Sequence, residues 1–422
     1  MVPEKTKLLC YTPDGCEQLT HYWEHIYPLS MNGLLIPYSL EAEHVGILRS
    51  TAPGEMSSIV DRISAHTRAL HAVLPSGLAR RHHGNPAASL RVHQLYGIPV
   101  LLSGLAALVL GKAELDALDH HHKVTLERLM RFYPATPAPV VYFFAGSPPA
   151  RAHLHSRQLG LLGMVARLGP NCPLFSYGMH ILANPPQPAR SASKIWFLQV
   201  RGLCQQYGLP DPVDVLQSAP TQGKWKSAVK RQITAYWTAN LRSAGEELPS
   251  LAFLRLSHMS LSSPSAVLTS CSASQLECKK ATVQLRMASG RYRTCWLRRY
   301  WSGDPSGTCQ VPQCIPDTPG TLSHLVTGQC KGLAAATASA AATLSVFASS
   351  RPHLHTLLTS MAAADPETFA AFLLNPSTQA PVLALAQEHG HQVVDDLCHL
   401  TRTWLYTLHC ARYRALGLWQ FL

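Results

Sequence analysis

Four potential metal ligands fall within one short segment of the chain, and this segment limits the fold more than any other feature. The ligands are Cys309, Cys314, His324 and Cys330, in the spacing C-x4-C-x9-H-x5-C. Zinc takes thiolate and imidazole ligands in a tetrahedron, and a chain supplies them as two close pairs across a loop. Prolines and glycines within the segment stiffen and reverse that loop. The spacing therefore predicts a zinc site in residues 302–332, where metal–ligand bonds take the place of a hydrophobic core.

A competing interpretation treats these residues as scattered reduced cysteines, because the chain has 12 cysteines in all. No apolar secretory segment opens the sequence, so we expect an intracellular, reducing compartment in which a disulfide framework does not form. The first gap, of four residues, is also wider than the common one of two. Cys271 and Cys278 lie nearby and are alternative ligands, as is Cys295, whose aromatic neighbours suggest a helix face that packs inward.

The charge balance favours an anionic partner. Lys and Arg number 36 against 24 Asp and Glu, which gives a formal charge of +12, and only 14% of residues are charged. A one-sided basic surface attracts the phosphate backbone of nucleic acid.

The hydrophobic fraction of 46% is typical of a globular chain. The longest apolar run, Ile98 to Leu110, is too short to span a bilayer. We therefore expect a soluble protein of the nucleus or cytoplasm, with no membrane partner.

The periodicity of the apolar residues predicts a mainly α-helical (α+β) fold with a small N-terminal β region. Residues 7–11 have the pattern of a strand, and Asn32-Gly33 is a hairpin signal between two apolar runs. From about residue 55 the period becomes that of a helix. The first helical stripe consists of Met56, Ile59, Ile63, His66 and Leu70. A second helix is predicted over 113–131 and ends at the prolines that follow it.

These patterns divide the chain into six consecutive segments. They are an N-terminal β region (1–54), a helical region (55–133), a proline- and glycine-rich linker with short helices (134–192), a helical region with a basic-aromatic part (193–301), the zinc segment (302–332) and a helical C-terminal region (333–422). Within the third segment, residues 184–192 (NPPQPARSA) have the clearest linker composition.

Several stretches resemble the region that follows the active site in reverse transcriptases of LINE-type non-LTR retrotransposons. Residues 3–9 (PEKTKLL) resemble the late-palm motif in which a lysine precedes a strand. Asn32-Gly33 followed by residues 43–48 (EHVGIL) resembles the hairpin and grip strand after it, and residues 96–104 (YGIPVLLSG) resemble a thumb helix. The Cys/His segment lies where such polyproteins carry a C-terminal zinc knuckle.

The resemblance covers most of residues 1–332 and depends on the order and spacing of these motifs. It implies that residues 1–54 are the remnant of a palm, that residues 55–133 are thumb-like, and that the zinc knuckle binds nucleic acid. It also implies that the chain begins at about the lysine strand, so that the upstream palm and fingers are missing.

The residues that polymerase chemistry needs are not found. Polymerases use carboxylates to hold two metal ions at the growing 3′ end, and the family places two of them in an Asp-Asp turn before the lysine strand. The only such pair, Asp395-Asp396, falls far downstream in a helical context, where a solvated helix face is expected. Residues 331–422 contain no lysine beyond Lys331, so the lysine of a C-terminal endonuclease is also missing. We expect a truncated, retrotransposon-derived protein that is not an enzyme.

A run of cations interleaved with aromatic rings precedes the zinc segment. Cations contact phosphates and rings stack on bases in sites for single-stranded RNA or DNA. The predicted nucleic-acid-binding residues are Lys279, Lys280, Arg286, Arg291, Arg293, Trp296, Arg298, Arg299 and Tyr300. The competing interpretation is a basic helix whose aromatic residues lie in the core. A second and weaker cluster of the same kind consists of Lys224, Trp225, Lys226, Lys230 and Arg231.

The histidines do not predict a further metal site. Consecutive residues of a helix point about 100° apart, so His120, His121 and His122 cannot converge on one ion. We expect these three to be surface or partly packed residues. The same is expected of His82-His83, His153 and His155, which lack partners at ligand spacing.

Two other functions remain open. A whole, active polymerase or nuclease is disfavoured by the missing carboxylates. A helical protein–protein interaction module without a nucleic-acid role would behave neutrally towards DNA at moderate salt.

Overall fold

The computed structural model describes residues 8–9, 30–31, 34–39, 41–44, 47–50, 56–73, 85–185, 195–251, 253–271, 274–292, 294 and 306–418. Helices dominate the described residues, and the paired strands are confined to the N-terminal part. The prediction of a mainly α-helical fold with a small N-terminal β region is therefore confirmed.

The N-terminal β region consists of short pairs of strands. The strands are β1 (Leu8–Leu9), β2 (Ser30–Met31), β3 (Leu34–Leu35), β4 (Tyr38–Ser39), β5 (Glu41–His44) and β6 (Ile47–Ser50). β2 and β3 pair antiparallel with Met31 opposite Leu34, which confirms the hairpin predicted at Asn32-Gly33. β5 also pairs antiparallel with β6, whereas β1 and β4 are parallel.

The helices occupy most of the remaining described chain. Those before residue 250 are α1 (Met56–Val73), α2 (Pro86–Val92), α3 (Ile98–Leu101), α4 (Lys112–Met130), α5 (Ala138–Ala145), α6 (Ala150–Leu168), α7 (Pro173–Ala183), α8 (Trp196–Tyr207), α9 (Pro212–Ser218) and α10 (Gln222–Glu246). Those after it are α11 (Ala266–Thr269), α12 (Gln275–Ala288), α13 (Leu322–Val326), α14 (Ala334–Ser349), α15 (Pro352–Ala362), α16 (Pro366–Leu374), α17 (Ala380–His389) and α18 (Gln392–Ala415). A π-helix, His93–Gly97, joins α2 to α3.

The chain forms two compact units, each gathered from three separate stretches. Unit 1 contains the described residues of 1–72, 93–122 and 149–236, and unit 2 those of 73–92, 123–148 and 237–422. The unit boundaries therefore do not coincide with the six consecutive segments read from the sequence.

One cluster of buried side chains in unit 1 is aliphatic. Ile59 of α1 packs with Leu101 of α3, Leu118 of α4 and Leu154 of α6, and all four side chains are buried. The predicted stripe of α1 faces this core, although Met56 at its first turn is exposed. His66, the polar member of the stripe, is fully buried.

The core of unit 2 includes aromatic side chains. Phe143 and Phe144 of α5, Phe372 of α16 and Leu405 of α18 are buried in it. Arg402 of α18 is also buried, and its guanidinium group donates hydrogen bonds to backbone carbonyls of unit 2.

Residues 134–185 are more ordered than the linker expected there. Nearly all of α5 is buried, and α6 is 19 residues long rather than short. The prolines explain the difference, because those at the first turn of α5 and α7 start helices instead of interrupting them. Most of the linker-like stretch 184–192 lies outside the described residues.

Candidate metal centre

A small hairpin carries the first two residues of the predicted zinc site. The backbone N–H of Cys309 donates to the carbonyl of Thr318 at 2.8 Å, and that of Gly320 donates to Gly307 at 2.9 Å. Between these contacts Gln313 adopts a positive φ of 66°, a left-handed conformation that reverses the chain. The hairpin thereby brings the side chains of Cys309 and Cys314 close together.

The short helix α13 positions the histidine. The side chain of Thr321 caps this helix by accepting a hydrogen bond from the backbone N–H of His324 at 3.2 Å. Val326 is fully buried, and its carbonyl accepts a hydrogen bond from Trp404 Nε1 at 2.8 Å. These contacts attach α13 to the core of unit 2 and leave the imidazole of His324 little freedom.

The four predicted ligands meet at one point. One ligand atom from each of Cys309, Cys314, His324 and Cys330 lies within 4.8 Å of all the others. The Cys309 and Cys330 Sγ atoms are 3.7 Å apart, and Cys314 Sγ is 3.3 Å from His324 Nε2. Ligand bonds of about 2.3 Å to sulfur and 2.0–2.1 Å to nitrogen give tetrahedral edges of roughly 3.8 and 3.6 Å. We name this group the Cys/His cluster, and it can hold a metal ion.

The environment of the Cys/His cluster disfavours charge unless a cation is present. Burial raises the pKa of Cys309 and of Cys330 and lowers the pKa of His324. The imidazole is thus kept neutral, which is the form that binds metals. Buried thiolates are costly alone, and a divalent ion offsets that cost directly.

The alternative cysteine ligands are not members of the cluster. Cys271 and Cys278 contact each other, with Sγ atoms 3.9 Å apart, in a small apolar cluster with Ala281. Cys295 lies outside the described residues.

The predicted nucleic-acid-binding residues on α12 are held by intramolecular contacts. Lys280 forms an ion pair with Glu277 at 2.8 Å, and Arg286 donates to the carbonyl of Arg131 at 3.1 Å. Lys279 and Arg291 are half-buried. The remaining predicted residues, Arg293, Trp296, Arg298, Arg299 and Tyr300, lie outside the described part of the chain.

The second basic cluster, on α10, is the more accessible one. Its four cations are exposed, and none of them forms an ion pair within the described part of the chain; they are Lys224, Lys226, Lys230 and Arg231. Trp225 is instead buried, and its Nε1 donates to the carbonyl of Leu159 at 2.7 Å. The sequence contains the signal for this surface, because α10 has no carboxylate before Glu246.

The structure bears on two further expectations. Asp395-Asp396 lies within α18, and Asp396 pairs with Arg351 at 3.4 Å, in agreement with the helical context expected for this pair. The expectation that His122 and His155 are surface or partly packed residues was wrong, because both side chains are buried. His155 is buried, and its Nδ1 is 2.7 Å from the Tyr207 hydroxyl. Its partner is distant in sequence, so ligand spacing gave no sign of it.

One stretch of the described residues, Leu322–Ser349, is apolar and long enough to cross a membrane by composition alone. It contains His324 and Cys330, and residues 327–333 separate α13 from α14 within it. The cellular compartment remains a prediction from the sequence.

No protein-family model matches the chain, and neither the curated proteins nor the solved structures include a match. The resemblance to retrotransposon reverse transcriptases therefore rests on the sequence motifs alone.

Proposed function

We propose that this chain is a zinc-containing nucleic-acid-binding protein without a polymerase centre, derived from the C-terminal part of a non-LTR retrotransposon reverse transcriptase. The Cys/His cluster carries the proposal, because it lies where the resemblance requires a zinc knuckle. Its donor set of three thiols and one imidazole is that of structural zinc sites. Four protein ligands leave no open position, so the ion holds the fold of the segment rather than activating water.

The distribution of unpaired cations supports binding to a phosphate backbone. The exposed cations of α10 have no acidic neighbour on their helix, whereas Lys280 and Arg286 of α12 are already engaged. An unpaired surface cation can neutralise a phosphate, which releases counterions condensed on the nucleic acid, and that release favours binding. We therefore place part of the nucleic-acid contact on α10, in addition to the predicted contact around Arg298 and Arg299.

Salt dependence tests this proposal. For a single strand, the slope of log affinity against log salt changes by about 0.7 for each neutralised phosphate. Lys226→Ala with Lys230→Ala should make the slope shallower by about 1.4, and Arg298→Ala with Arg299→Ala should do the same if that site also binds. A variant with Arg68→Ala and Arg255→Ala removes two other exposed cations and serves as the control. Absence of binding at low salt, or equal slopes in all four proteins, would contradict the proposal.

The proposed lack of polymerase activity is tested separately. The purified protein should not extend a primer on an RNA or DNA template with Mg²⁺ or Mn²⁺, because no carboxylate pair of the required kind is present in the sequence. Extension that survives repurification and is lost on Asp395→Asn would overturn this part of the proposal.

A protein–protein interaction module is the second candidate, and α14 favours it. Of the 16 residues of this helix only Ala340 and Ala348 are buried, and the Val346 side chain is 75% exposed. Normal nucleic-acid binding by a Val346→Asp variant that no longer associates with a partner protein would show that the two roles coexist.

A further inference from the structure

Unit 1 contains a group of histidines that the Cys/His cluster does not use. His66 comes from α1, His93 from the π-helix, and His121 and His122 from α4. His66, His93 and His122 are fully buried, and His121 is half-buried. Polar side chains in an apolar core need partners, and these four find them in one another.

The four rings form a continuous chain through their nitrogen atoms. His121 Nε2 lies 2.8 Å from His66 Nδ1, His66 Nε2 lies 3.3 Å from His93 Nδ1, and His93 Nε2 lies 3.2 Å from His122 Nδ1. We name this group the imidazole chain. Each of the two central rings, His66 and His93, thus uses one nitrogen towards the other and one towards an outer ring.

We propose that the gap between His66 Nε2 and His93 Nδ1 is a second metal site, for a divalent transition-metal ion such as zinc or nickel. The two nitrogens are 3.3 Å apart. A tetrahedral ion with bonds of about 2.0–2.1 Å holds two nitrogens roughly 3.3 Å apart.

The outer rings suit this assignment. A histidine that binds a metal donates its other N–H to an acceptor, which fixes the tautomer and the ring orientation. With an ion in the central gap, His66 Nδ1–H donates to His121 Nε2 and His93 Nε2–H donates to His122 Nδ1. Both ligands then have their second nitrogen satisfied within the imidazole chain.

Gly97 leaves space beside the same two nitrogens. Its φ of −64° is ordinary helical backbone, so the glycine is not required by conformation. A methyl group at this residue would overlap His93 Nδ1 and lie 3.0 Å from His66 Nε2. The π-helix brings Gly97 against the gap, and such helices occur often at functional sites.

Metal content of the full chain tests the proposal. The wild type should bind two zinc or nickel ions after dialysis, whereas Gly97→Ala, which retains every histidine, should bind one. Gly160→Ala is the matched control, because a methyl group there meets no atom within 4 Å. His121→Ala should weaken the second ion by about ten- to a hundredfold, the range for a lost outer-shell partner.

Cobalt distinguishes this site from the Cys/His cluster. Thiolate-to-cobalt charge-transfer absorption reports metal binding at the Cys/His cluster alone. Loss of metal binding at one site can therefore be detected while the other site still binds. A titration of wild-type protein with zinc, followed by the ¹⁵N shifts of the imidazoles, should move the signals of His66 and His93 and needs no variant. One ion per chain with unmoved signals would overturn the proposal and leave a hydrogen-bonded chain of neutral imidazoles.

Discussion

The two groups of metal-ligating side chains are assembled in different ways. The Cys/His cluster of unit 2 takes its residues from one continuous segment, with a hairpin and one helical turn between them. The imidazole chain of unit 1 takes its residues from α1, α4 and the π-helix, which surround an aliphatic core. A local site needs its ion in order to fold, whereas a site built across helices inherits its geometry from the core. We therefore expect metal to stabilise residues 306–333 strongly and unit 1 only weakly.

The largest expected effect is the loss of one ligand from the Cys/His cluster. Cys330→Ala should remove the zinc and destabilise residues 306–333 by more than about 3 kcal/mol, because the ligand bonds there substitute for a core. Cys309→Ser and His324→Ala should act in the same way. Zinc content by elemental analysis and hydrogen exchange of this segment measure the two effects.

Cys398→Ala is the matched control for that experiment, since Cys398 is another fully buried cysteine of unit 2. It should cost only about 1–2 kcal/mol, as a small cavity does, and retain the zinc. A chelator should reproduce the effect of Cys330→Ala in residues 306–333 and leave exchange in α1 and α6 nearly unchanged. Equal zinc content in the ligand variants and the wild type would show that these residues do not bind zinc.

Acid tests the comparison in a second way, through one matched buried histidine in each unit. Each unit buries one histidine on a tyrosine hydroxyl at 2.7 Å, namely His155 on Tyr207 in unit 1 and His409 on Tyr292 in unit 2. Burial, with Arg151 near the first and Arg412 near the second, lowers the pKa of each to about 4.

The sign of the effect follows from the direction of these shifts. The unfolded chain takes up a proton at each histidine as pH falls below about 6.5, whereas the folded chain does not do so until about pH 4. The stability contributed by the neutral histidines is therefore complete above pH 6.5 and is lost as pH falls towards 4. From pH 7 to pH 5 each should cost about 2 kcal/mol.

Urea midpoints at pH 7 and pH 5 measure this loss, and His155→Gln or His409→Gln should each remove one part of it. His120→Gln, on the exposed side of α4, is the control. A pH dependence that is unchanged in both buried variants would show that other groups dominate acid unfolding.

The difference between the two sites also explains which parts were predictable from the sequence. The hairpin at Asn32-Gly33, the stripe of α1 and the Cys/His cluster depend on residues close together in the chain, so the sequence predicts each of them. The imidazole chain depends on contacts between distant helices. Its signs in the sequence were His66, a histidine in the middle of a stripe that faces the core, and the triplet His120-His121-His122.

The sequence also could not show which basic residues are available for nucleic acid, because this too depends on contacts between residues distant in the chain. The cations of α12 have a stronger local pattern than those of α10, but Glu277 and the carbonyl of Arg131 engage two of them. The aromatic residue of the α10 cluster, Trp225, packs against Gly163 instead of facing solvent. Tertiary contacts decide which cations remain available, and no local pattern reveals those contacts.

The smallest expected effect concerns the helix cap that positions His324. Thr321→Ala removes the hydroxyl that accepts from the His324 N–H, and the loss of such a cap costs about 1 kcal/mol. Ser274→Ala removes an equivalent cap, on the Glu277 N–H of α12, and should cost a similar amount. Only the first change loosens a ligand. A competition titration with a zinc chelator should therefore show about fivefold weaker zinc binding for Thr321→Ala and unchanged zinc binding for Ser274→Ala. If both variants keep the wild-type zinc affinity, the ligand bonds hold His324 without help from α13.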